Sequence, residues 1–144
     1  MTNSLHRSYP VVDRSYVSII KRDVRALAIS LGFAGVRMGE MDIIIAELTS
    51  NLVKYAKAGE LLVRAISHAT NAGIEFISAD NGLGMVDTSQ LMIDGVSTGG
   101  SLGQGLGAIG RLADLFQLYS LPSRVTIGLV RLWLKPPAKP LITP

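Results

Sequence analysis

Near Ala58-Gly59 the apolar residues of this chain change their spacing, and that change limits the folds open to it. Before it, Val17, Ile20, Val24, Leu27, Ala28 and Leu31 recur at helical period from residue 13 or 15 to about 31, where Gly32 stops the pattern. Met41, Ile44, Ile45, Leu48, Leu52 and Tyr55 repeat that period over roughly 37–57. After it, residues 60–67 and 73–79 read as two strands of a hairpin joined by the turn-like Ala69-Thr70-Asn71-Ala72. Residues 9–12 suit a short edge strand, where Pro10 is tolerated. Leu106, Ile109, Leu112, Ala113 and Phe116 predict a further helix, and 117–121 and 125–134 two more strands. The expected architecture is a two-layer α/β (α+β) sandwich, with a mixed, mainly antiparallel sheet and helices packed on one face.

A length of 144 residues suits one core, assigned to residues 1–134, with the proline-rich 135–144 as a tail or linker. Apolar residues reach 48%, yet Glu47 and Arg131 interrupt the longest runs, so no membrane span is expected. The absence of cysteine and of a signal-like start leads to a cytoplasmic expectation. The net charge is +3, and no acid follows Asp114, but the basic residues there are scattered and lack aromatic company, so nucleic acid is not an expected partner. His6 and His68 lack metal-ligand spacing.

Three polar features remain. Glu47 and Asn51 lie four apart on the second helix and share one face. An asparagine oxygen is a hard donor for magnesium, which takes much of its binding from nucleotide phosphates, and a nearby carboxylate can orient or deprotonate an attacking hydroxyl. Alone, the pair reads more simply as a solvated helix face. Lys54 extends it toward a phosphate or toward solvent with equal ease. Asp80 stands where a strand runs out into Asn81-Gly82-Leu83-Gly84. Its carboxylate suits an exocyclic amine such as that of adenine, and Gly82 and Gly84 would let a flat base approach, although Asp-Asn-Gly is also turn chemistry. Gly103-Gln104-Gly105-Leu106-Gly107 leads into a helix whose first amides attract phosphate. It is neither a dinucleotide loop, lacking a preceding strand and a later acid, nor a Walker loop, since no glycine precedes a lysine.

In this order, Glu47-x-x-x-Asn51, Asp80-x-Gly82-x-Gly84 and Gly103-x-Gly105-x-Gly107 resemble the three motifs of the GHKL ATPase/kinase superfamily, over residues 13–134. The residues from Asp94 to Gly103 and the short span from Met85 to Gly103 are similar to bacterial partner-switching serine kinases of the RsbT and RsbW type. The resemblance implies the Bergerat ATP-binding fold, with ATP and Mg2+ as cofactors and a serine of a STAS-domain antagonist as acceptor. A sigma factor or phosphatase is a further implied partner, and a homodimer is compatible with it. It further implies that Glu47 is the base, that Asn51 holds magnesium, that Asp80 binds adenine supported by Thr126, and that Gly103, Gly105 and Gly107 meet phosphates, with Leu106 also part of the ATP site. A nucleotide-gated binding module without turnover is the alternative.

Overall fold

The segments with helical spacing form helices in the computed structural model, which describes residues 7–11, 13–55, 59–80, 102–120 and 126–137. Helix α1 spans Ser15–Leu31 and buries Ile20, Val24 and Ala28. It ends in a Schellman-type turn, in which Gly32 adopts φ 104° and the Phe33 N–H donates to the Ala28 carbonyl at 2.9 Å. Helix α2 spans Gly35–Tyr55 and presents Met41, Ile44, Ile45, Leu48 and Leu52 to the core.

Five strands follow the predicted order: β1 Arg7–Val11, β2 Gly59–His68, β3 Asn71–Asp80, β4 Leu115–Ser120 and β5 Thr126–Trp133. They form one sheet in the order β1-β2-β3-β5-β4, antiparallel at each pairing. The hairpin between β2 and β3 is tighter than expected. Asn71 and Ala72 already pair with His68 and Ser67, which leaves Ala69 and Thr70 as the turn, with Ala69 at φ 55°.

The inner face of the sheet carries Leu61, Val63, Ile74, Phe76, Val130 and Leu132, each at most 1% exposed, and the helices cover it. This is the expected α+β sandwich. One edge is locked by Tyr9, whose hydroxyl donates to Asp23 of α1 at 3.0 Å.

Helix α3 spans Leu102–Leu112, four residues earlier at each end than the apolar spacing predicts. Its start contains Gly103 and Gly105, each costing about 1 kcal/mol in a helix interior, which is why the sequence reads as a loop there. Burial of Leu106 (3% exposed) and Ile109 (0%) against α2 opposes that cost. At the other end the Asp114 N–H donates to the Arg131 carbonyl at 2.9 Å, which turns the chain into β4 and takes Phe116 with it.

Candidate functional site

One rung of the sheet marks the end where the predicted residues gather. Its Cα partners run Val11, Gly59, Asp80, Thr126, Ser120 from edge to edge. Asp80 is the last residue of β3, half-buried, and alternation from Phe76 puts it on the inner, helix-covered face. Thr126, the first residue of β5, is its direct Cα partner. Helix α2 ends at Tyr55 and β2 begins at Gly59, so a short connection ties the end of α2 to this rung.

Glu47 and Asn51 stand on the flank of α2 nearest α3. Two ion pairs identify the flanks: Asp42 meets Arg25 of α1 at 2.7 Å, whereas Arg37 pairs with Asp114, just beyond α3. From Arg37, positions 40, 44, 47 and 51 follow in alternating steps of three and four, which keeps them on the α3 side. The start of α2 thus meets the residues just past the end of α3, and the two helices pack against each other.

The side chains of Glu47 and Asn51 are half-buried. Neither makes a hydrogen bond or ion pair among the described residues. In the first turn of α3, which has no acidic residue, the N–H groups of Leu102 to Gly105 have no intrahelical acceptor. The buried Gly107 lies one turn further, its N–H opposite the Gly103 carbonyl in the helical ladder. Leu106 is part of the core. Lys54 lies in the last turn of α2, but its side chain, like that of Thr126, is outside the described residues, as are Gly82 and Gly84 altogether.

Sequence reasoning missed the rung one step inward on the same face, where Ser78 pairs with Gly128. A Cβ on Gly128 would stand 2.8 Å from the Ser78 hydroxyl oxygen, so any larger residue there would turn the Ser78 side chain aside. The available signal was a glycine inside an apolar strand, which marks a close approach.

The chain thus offers a strand-end carboxylate at Asp80, a carboxylate and an amide one turn apart on α2, and the N–H groups of the first turn of α3. Such a set can accept an exocyclic amine, offer oxygens to a hydrated cation and donate to phosphate oxygens.

The chain is 34% identical over 111 residues to the serine/threonine-protein kinase RsbT of Bacillus subtilis (strain 168), a match that covers 77% of this chain and 84% of that protein. No family model matches the chain.

Proposed function

The chain belongs to the family of the serine/threonine-protein kinase RsbT, and on that premise we propose that it is an ATP-dependent serine kinase of the GHKL type acting in a bacterial partner-switching system. Its acceptor is a serine of a STAS-domain antagonist, and a sigma factor or phosphatase is the further partner. The observation that carries this reading is the kinship with a serine/threonine-protein kinase, and half-buried Glu47 and Asn51, four apart on α2 and unpartnered among the described residues, support it.

Those residues fit a magnesium nucleotide, because each offers the donor type that its parts need. Asp80 accepts the exocyclic amine of adenine, with Thr126 as its rung partner and Gly82 and Gly84 giving the base room. Asn51 offers its amide oxygen to magnesium, and the first-turn amides of α3, with Gly103 and Gly105, hold phosphate oxygens, while Gly107 lets the helix sit close. Lys54 stands ready for a further phosphate oxygen. When bound, the metal neutralises phosphate charge. Glu47 accepts the proton of the serine hydroxyl as its oxygen bonds to the γ-phosphorus. The bond from that phosphorus to the bridging oxygen breaks, and ADP leaves.

The test is transfer of label from γ-labelled ATP to serine-bearing STAS-domain proteins of the same genome, with serine-to-alanine versions as controls. Glu47→Ala is expected to lower transfer at least a hundredfold while Mg-ATP binding persists. Partner binding that responds to ATP or ADP with no label transferred by the wild type would instead make this a nucleotide-gated binding module.

A further inference from the structure

At the end of the sheet far from Asp80, the outer face carries side chains that the nucleotide reading does not use. Arg64, Glu75 and Arg131 share one rung across β2, β3 and β5. Glu75 is only 2% exposed, and each of its oxygens takes one arginine: Arg64 Nε donates to Oε1 at 2.8 Å and Arg131 Nε to Oε2 at 2.7 Å. The Nη groups of both arginines make no hydrogen bond or ion pair among the described residues, and the two side chains keep 30% and 37% exposure. A buried carboxylate therefore fixes two guanidinium groups by their inner nitrogens and leaves their outer donors available. The next rung supplies a wall. Ile66, Gly73 and Trp133 align there, and the Trp133 ring folds over Gly73, where a Cβ would stand 2.8 Å from Cε3. His68 meets that ring edge-on, with centroids 6.5 Å apart. Arg64, Ile66, Ser67, His68, Arg131 and Trp133 line a pocket of about 240 Å³.

We propose that this pocket binds a small monoanion, a carboxylate borne on a flat apolar group. The carboxylate bridges the Nη donors of Arg64 and Arg131, whose planar forks match its two oxygens. The flat group lies against Trp133 and Ile66. Pocket volume, below the roughly 300 Å³ at which sites for drug-sized ligands begin, limits that group to about one ring. Charge chooses among oxyanions. Two guanidinium groups and one carboxylate leave a single positive charge, which suits a monoanion better than a phosphate ester carrying about two negative charges at neutral pH. Glu60, the other acid on this face among the described residues, stands four residues along β2 from Arg64, about 13 Å away, and accepts a hydrogen bond from Ser8. That separation exceeds the roughly 10 Å over which exposed charges act at ordinary ionic strength, so Glu60 leaves the local balance unchanged. The inference goes beyond the kinase reading and is independent of it, since Asp80 lies seven residues, about 23 Å, along β3 from Gly73.

Trp133, the sole tryptophan of the chain, reports on the pocket directly. The test titrates the isotopically labelled full chain with benzoate, with uncharged benzyl alcohol and with phenyl phosphate, following Trp133 emission and backbone amide shifts. Benzoate is expected to give a saturable change in both, with shifts centred on Gly73, Glu75 and Arg131. It should bind at least tenfold more tightly than benzyl alcohol and about threefold more tightly than phenyl phosphate. Arg64→Lys keeps the charge but not the planar fork, and should weaken benzoate about threefold or more. The combined variant Arg64→Gln, Glu75→Gln, Arg131→Gln should bring benzoate and benzyl alcohol within about twofold of each other; should it fail to fold, Arg64→Lys decides. No saturable change with benzoate, equal affinity for benzoate and benzyl alcohol, tighter binding of phenyl phosphate, or an affinity that Arg64→Lys leaves unchanged would each overturn the proposal. So would shifts centred on Asp80 and α2, which would put the anion at the nucleotide end. Trp133 emission that changes with protein concentration alone would overturn it in favour of a second copy on this face. Addition of Mg-ATP to the same sample reads the nucleotide site separately, so failure of one reading leaves the other standing.

Discussion

Arg37 shows how much of the site's geometry one side chain can set. Its Nε donates to the Trp133 carbonyl at 2.7 Å, while its other nitrogens pair with Glu40 and Asp114. Asp114 also accepts the Trp133 N–H at 2.8 Å, so the start of α2, the end of α3 and β5 meet at one clasp. The paired side chains are 14% and 13% exposed, and removing the guanidinium would strand a mostly buried carboxylate. Arg37→Ala is expected to cost about 2–3 kcal/mol, somewhat less than for a fully buried pair, seen as a lower denaturant midpoint. Because this clasp ties the start of α2 to the end of α3, the same variant should weaken Mg-ATP binding, whereas Arg22→Ala, at a side chain 75% exposed, should not. Glu47, Asn51 and Asp80 stood out in the sequence through donor type and spacing, although each alone reads more simply as a solvated helix face or a turn. Arg37 did not, since its partners Asp114 and Trp133 lie 77 and 96 residues away along the chain.

At the scale of elements, packing overrode propensity in some places and agreed with it in others. The helical period of α1 and α2 and the strand pair β2 and β3 could be read directly, because each buries one continuous face. The start of α3 could not, because three glycines argue locally for a loop, while the burial of Leu106 and Ile109 that opposes them depends on α2. Gly73 carries a similar hidden constraint. A Cβ there would meet Trp133 Cε3 at 2.8 Å and the Leu132 carbonyl oxygen at 2.9 Å, and a backbone atom in the middle of a sheet yields little. Gly73→Ala should destabilise by about 1–3 kcal/mol and shift the emission of Trp133, the sole tryptophan of the chain. On the outer face of the sheet Arg64 and Arg131 both donate to Glu75; burial alone would raise its carboxyl, but Arg131 and Arg64 outweigh it and hold the group below its ordinary 4.5. A depressed folded-state value means stabilisation that is complete above the ordinary value and is lost as pH falls through the folded one. Urea midpoints from about pH 6 to 3 should therefore fall, and fall less steeply in the Arg64→Gln, Glu75→Gln, Arg131→Gln variant. Equal slopes in the two proteins would mean that this rung contributes nothing to acid lability.

For the molecule as a whole, the sheet end and the two helices form one frame that brings distant residues to a common place. The rung from Val11 to Ser120 aligns Asp80 with Thr126, and α2, which carries Glu47 and Asn51, packs against α3. Sequence order supplied the motifs, but only the sheet order β1-β2-β3-β5-β4 makes Asp80 and Thr126 neighbours, since β5 enters between β3 and β4. Binding of a magnesium nucleotide at this end of the sandwich through the Asp80 carboxylate is read by calorimetry of Mg-ATP with the wild type and Asp80→Asn. Loss of one charged hydrogen bond to the base should cost about 1.5–3 kcal/mol, a ten- to hundredfold weakening, with the fold intact by circular dichroism. No binding by the folded wild type, or an affinity that Asp80→Asn leaves unchanged, would contradict the account.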